Sequence, residues 1–182
     1  QELANQNAGL ALEADTAKAE QSRLRRVEAL EELREVLNLE SLPLRIECFD
    51  VSNIQGESIV ASMTVFVDGK ARNAHYRTFA IRGLGGQNDV GAMREAVSRR
   101  FARLRSGDGD ESFSRMPNLV VVDGGKAQLA AALAVMEELD LPRVAVRRED
   151  MERVAHLLEC RVGDLEVAAV GTIARQPQRR CD

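Results

Sequence analysis

Cysteine is scarce in this chain and without pattern. Cys48, Cys160 and Cys181 are odd in number and share no CxxC or Cys/His spacing, which argues against both a zinc site and a disulfide framework. Cys48, inside a strand-like run, reads as a buried small hydrophobe. Histidine is scarcer still: His75 and His156 are the only two, and with neither in a triad or ligand spacing, each alone reads as structural or exposed. No uncharged apolar run reaches the length of about 18 residues that spans a membrane. The start, Gln1-Glu-Leu-Ala-Asn5, has neither the basic head nor the apolar core of a signal peptide, so the expected location is cytoplasmic. An initiating Met is missing too, as in a fragment of a longer protein or after processing. Excess positive charge is also lacking: 25 Lys and Arg against 29 Asp and Glu give a net charge of -4. Neutralising phosphate normally demands a basic surface, so a free-standing, tight nucleic-acid binder is disfavoured. If DNA is the substrate, other domains or a partner supply much of the affinity.

What is present is an ordinary mixture, 45% apolar and 30% charged over 182 residues, enough for one domain with a proper core and an appended helix. Residues 3–39 have helical character throughout, and Val27, Leu30, Leu33 and Leu37 form an amphipathic stripe. The plain reading is a helix packed on the domain edge or bridging to a preceding domain. Glu40-Ser-Leu-Pro43 breaks it. The period then changes to that of strands, expected at 45–51, 59–67 and 74–81, with turn signals at Gln55-Gly-Glu-Ser58 and Asp68-Gly-Lys70. Asp89, after the glycine-rich loop at 83–89, stands where a helix over 92–104 would be capped. Residues 106–112 read as a mobile surface loop. A strand at 119–122, a helix at 127–139 and a short strand at 144–146 complete the order β-β-β-α-β-α-β. That order predicts an α/β, RNase H-like mixed sheet, an antiparallel three-strand meander continued by parallel strands and flanked by helices.

Two aspartates stand out against this frame: Asp50 in Arg45-Ile-Glu-Cys-Phe-Asp-Val-Ser-Asn53, and Asp123 in Asn118-Leu-Val-Val-Val-Asp-Gly-Gly-Lys126. Asp is depleted in strands and costly to bury as an ion. With the first strand central and the fourth beside it, the pair projects toward one crevice. Two carboxylates suit Mg2+ or Mn2+, which keep waters and accept a substrate phosphate, and such a metal orients a water for in-line attack at phosphorus. The competing reading is a strand-end Asp satisfied by backbone N–H groups. Gly124 and Gly125 allow a sharp turn with outward N–H groups for phosphate, and Lys126 adds positive charge; the alternative is a tight strand-to-helix turn that contains a Lys. It is not a Walker A loop, which weakens a nucleotide-binding reading. Arg94, Arg99, Arg100, Arg103 and Arg105 make the second helix basic, with Met93, Val97, Phe101 and Leu104 on its apolar side. It either presents Arg to a phosphate backbone or simply carries a solvated charged face.

At these residues the chain resembles the C-terminal half of UvrC, a family of bacterial excinucleases, with its RNase H-like nuclease domain. The likeness lies in residues 45–52, Gly56-Glu-Ser-Ile-Val-Ala-Ser-Met63, Tyr76-Arg-Thr-Phe79, Asp89-Val-Gly-Ala-Met-Arg-Glu95, Arg99-Arg-Phe101 and Pro117-Asn-Leu-Val-Val-Val-Asp-Gly-Gly-Lys-Ala-Gln128. Leu3-Ala-Asn-Gln-Asn-Ala8 is similar to the family's lead-in helix, so coverage is roughly residues 1–146. The resemblance implies nucleotide excision repair: incision of damaged double-stranded DNA on the 5′ side of a lesion, in complex with UvrB, with UvrA acting upstream. It implies Asp50 and Asp123 as catalytic, metal-linked acids and Asp89 as a further acid. It divides the chain into a helical lead-in (1–43), the nuclease domain (44–146) and a tail (147–182) that departs from the family. There the family's helix bearing Asp-Glu-x-His-Arg-Phe has no counterpart, and His156 lacks its neighbours. The rival expectation is an inactive RNase H-like fragment that only binds a repair partner.

Overall fold

The structure, a computed structural model, describes residues 2–54, 58–81, 88–107, 110–141 and 145–148, together with Val154 and Leu158. The expectations for the loop at 83–87, the turn at 55–57, His156, Cys160 and Cys181 lie outside the described residues. Helix α1 (Glu2–Val36) ends because Asn38 takes a left-handed conformation (φ 49°). The N–H groups of Leu39 and Asn38 return to the carbonyls of Arg34 (2.9 Å) and Glu35 (3.1 Å), the closure that satisfies the last orphan carbonyls of a helix. Ala29, Leu30, Leu33 and Leu37 are buried, whereas Val27, expected on their stripe, is 40% exposed. The buried face is centred between Leu30 and Leu33, and the step back from Leu30 turns Val27 out to its rim. Residues 9–21 are exposed on every side of the helix.

Strand β1 (Arg45–Ile54) pairs antiparallel with β2 (Ser58–Val67) over its whole length, from Arg45 opposite Val67 to Ile54 opposite Ser58. The Asp68-Gly69 turn then reverses the chain with both residues left-handed (φ 52° and 72°), the two-residue geometry whose twist suits a hairpin. The expected single strand at 74–81 is interrupted. Short β3 (Lys70–Ala71) and β4 (Arg77–Ile81) both pair with β2, separated by a 3-10 turn at Asn73–His75. The cause is Arg77, a buried side chain whose Nη1 donates to the carbonyls of Ala74 (2.9 Å) and Tyr76 (2.6 Å) and so holds the turn closed.

Helix α2 (Asp89–Ser106) is capped by Asn88, not by Asp89: Asn88 Oδ1 accepts the Gly91 N–H at 2.9 Å. Strand β5 (Leu119–Val122) runs parallel to β1, α3 (Lys126–Glu138) follows, and β6 (Ala145–Arg148) is parallel to β5. Strand order is β3-β2-β1-β5-β6, with β4 also on β2. The sheet separates two cores, because alternate strand residues face opposite sides. Phe49, Ala61, Met63, Val65, Phe79, Val120 and Val122 pack with α2 and α3. Ile46, Cys48, Phe66, Leu119 and Val121 pack with α1 and with Val154 and Leu158. Two residues of the segment beyond 146 thus belong to the core.

On the α2 side, charge is buried in a closed network. Glu47 is fully buried and accepts from Arg45 Nε (3.0 Å) and Nη2 (2.8 Å) and from Arg100 Nε and Nη2 (2.8 Å each). The same guanidinium groups hold the segment after α2, through Arg45 to the Ser112 carbonyl (2.6 Å) and Arg100 to those of Phe113 (3.1 Å) and Arg115 (2.7 Å). Around the Phe113 ring stand Arg77, Arg100 and Arg103, each within 5.5 Å of its centre, close enough for cation–π attraction.

Candidate active site

The aspartates come together through strand order. Phe49 stands opposite Val122 in the parallel β1–β5 pair, and the Asp123 N–H donates to the Phe49 carbonyl (2.9 Å), so the next step along each strand is Asp50 beside Asp123. Neighbouring strands lie about 4.8 Å apart. Ile46 and Cys48 on β1, and Leu119 and Val121 on β5, face α1, so the same alternation puts Asp50 and Asp123 on that side. Asp50 and Asp123 are both half-buried. The Ser52 hydroxyl donates to Asp50 Oδ2 at 3.0 Å.

Cys48 reports the neighbourhood. Burial first, and then the Glu47 and Asp123 carboxylates, push its thiol up from 9.0 to about 12, against a hydrogen bond with Thr64 that lowers it. At neutral pH this thiol keeps its proton. A raised folded value adds stability below pH 9.0 that is lost as pH rises through about 12. Iodoacetamide at pH 8 is therefore expected to leave Cys48 unmodified in the folded chain and to label it on unfolding in urea, as read by peptide mapping. Rapid labelling under native conditions contradicts the burial.

Asp89 sits in the first turn of α2, the helix that follows β4, a strand that runs parallel to β1 and ends at Ile81. Helix α2 packs on the face opposite the pair. Among the described residues no three His, Cys, Asp or Glu groups form a metal-binding cluster. The Gly124-Gly125-Lys126 turn lies past the carboxyl end of β5, directly after Asp123. There the Gly125 N–H donates to the Gln128 side chain and is not available to a phosphate, and a Cβ on Gly124 would collide with Gln128 Oε1. Lys126 is exposed at the start of α3. Arg100 requires correction: fully buried and committed to Glu47, it cannot reach DNA. Arg99 is half-buried, donating to the Ala80 carbonyl (2.8 Å) and paired with Glu95 (2.5 Å).

Two carboxylates are hard oxygen donors, which fit Mg2+ or Mn2+, ions that complete their shells with water and substrate oxygens. A meander continued by parallel strands, helices on both faces and an acid pair on the central strands define an RNase H-like α/β domain. Residues 34–167 match the family model described as the UvrC RNAse H endonuclease domain, and the chain belongs to this family. It is 41% identical over 166 residues to the UvrABC system protein C of Streptomyces avermitilis, covering 80% of this chain and 24% of that protein. To its counterpart in Acidothermus cellulolyticus it is 42% identical over 167 residues, covering 80% and 26%. To that of Thermobifida fusca it is 49% identical over 142 residues, covering 66% and 22%. The chain therefore spans about a quarter of the length of these relatives. No helix among the described residues is long and apolar enough to cross a membrane.

Proposed function

We propose that this domain makes the 5′ incision of bacterial nucleotide excision repair, hydrolysing one phosphodiester bond of damaged double-stranded DNA in a cytoplasmic complex with UvrB, after UvrA has acted. The observation that carries the reading is the adjacency of Asp50 and Asp123 on neighbouring parallel strands, past the carboxyl end of β5, where open α/β sheets receive ligands. The pair would hold Mg2+ or Mn2+, with Asp89 as a further acid. Such an ion supplies a Lewis acid and a bound water for in-line displacement at phosphorus. The chain's own residues hold the two carboxylates in fixed register, and the Ser52 hydroxyl engages one of them. Lys126, exposed beside Asp123, offers a cation to the DNA backbone. Arg99 is partly engaged within the fold, with the Ala80 carbonyl and Glu95, and would offer its remaining donors to the DNA backbone. The net charge of -4 leaves most DNA affinity to other domains and to UvrB.

Titration calorimetry of this chain with Mn2+ tests the metal reading. The expected result is a binding heat that disappears in Asp50→Asn and Asp123→Asn while circular dichroism stays native. No Mn2+ heat from a natively folded wild-type chain overturns it in favour of a domain that binds a repair partner without cutting.

A further inference from the structure

We propose that Ser52 is a positioning residue: its hydroxyl fixes the Asp50 carboxylate in the orientation that metal binding and strand cleavage require. This rests on the reading of Asp50 as a metal-linked acid. The Ser52 Oγ donates to Asp50 Oδ2 at 3.0 Å, the one side-chain donor to that carboxylate among the described residues. The two-residue step along β1 puts both side chains on the α1 side of the sheet. Strand β5 stops at Val122 opposite Phe49, while β1 continues to Ile54. Asp50 and Ser52 therefore line the part of β1 that β5 leaves open. Ser52 is exposed, so packing does not explain it.

An Asp side chain on a strand keeps a broad choice of terminal torsion. A donor to one oxygen of an ionised carboxylate is a charge-assisted bond that selects one orientation. Partners of this kind, which hold a metal ligand without touching the metal, typically change affinity or activity by about 10- to 100-fold when removed. Ser62 is a built-in control. It stands directly across from Asp50 on β2 and so shares its face, but the hydrogen bond comes from Ser52.

The test compares Ser52→Ala, Ser52→Thr, Ser52→Val and Ser62→Ala. Mn2+ affinity is measured by calorimetry on this chain, 5′ incision in the full-length protein with UvrB on lesion-containing duplex, and folding by thermal unfolding. Ser52→Ala and Ser52→Val are expected to weaken Mn2+ binding and slow incision by about 10- to 100-fold with unfolding midpoints unchanged. Ser52→Thr, which restores the hydroxyl on the same branched frame as Val, recovers both, and Ser62→Ala behaves as wild type. Wild-type Mn2+ affinity and incision in Ser52→Val, or a Thr variant no better than Val, overturns the positioning role. When Asp50→Asn is inactive in parallel, that failure leaves the functional reading standing. Full incision by Asp50→Asn removes both together.

Discussion

Replacing Glu47 by Ala is expected to lower the unfolding free energy by about 3–5 kcal/mol, the usual result of removing one member of a buried ion pair. For a chain of this size that corresponds to a loss of roughly 10 °C in Tm. The size follows from what Glu47 neutralises. Its two oxygens accept four hydrogen bonds from Arg45 and Arg100, and Arg100 is fully buried. Without the carboxylate, two guanidinium charges remain in the interior, where an uncompensated ion costs far more than the pair contributed. Those guanidinium groups also hold the carbonyls of Ser112, Phe113 and Arg115, so the segment after α2 loosens with them. Urea unfolding followed by circular dichroism measures the effect. Glu138→Ala serves as a control, since it removes an exposed pair with Arg94, the kind of surface contact that carries little stability. A Glu47→Ala midpoint matching that of the control contradicts a stabilising role for the network.

Much of this network was written in the sequence but hard to read there. Glu47 alternates in phase with Phe49, which marks it as inward-facing, and Arg100 falls three residues after Val97 and seven after Met93, on the apolar stripe of its helix. Periodicity thus places both inside. What it does not supply is that they meet: 53 residues separate them, and only the packing of α2 across β1 brings them together. A count of arginines on the helix therefore read as a phosphate-facing surface. The interruption of the third strand was hidden for a related reason, because Arg77 closes its turn on backbone carbonyls, which leave no mark in a residue pattern. At the start of α2, Asn88 and Asp89 are both good capping residues, and sequence alone does not choose between them.

The elements carried by strong local signals were legible. The Asp68-Gly69 pair specified a hairpin because both central positions need a left-handed backbone, and the uninterrupted run Leu119-Val-Val-Val122 specified a strand buried on both faces. The adjacency of Asp50 and Asp123 followed from putting the first and fourth strands side by side. Their common face follows from alternation along each strand. Ser52 was within reach of the same reasoning, since a residue two steps along a strand shares the face of its neighbour.

Asp50→Asn and Asp123→Asn are each expected to slow 5′ incision by about a thousandfold or more. Each amide keeps the size of the carboxylate and loses the charge that would hold a divalent cation. A metal's stabilisation of the charge developing at phosphorus is worth several kcal/mol, and each 1.36 kcal/mol is about tenfold in rate. Both substitutions sit at half-buried positions on the rim of the sheet, outside the Glu47 network, so folding is expected to survive them. The most direct test is a single-turnover incision assay on a lesion-containing duplex, using full-length protein with UvrB and Mg2+ and mapping cuts on both sides of the lesion. Each variant is expected to lose the 5′ cut while binding the UvrB–DNA complex as wild type does. A 5′ cut at the wild-type rate in both variants would show that the aspartate pair is not the incision centre.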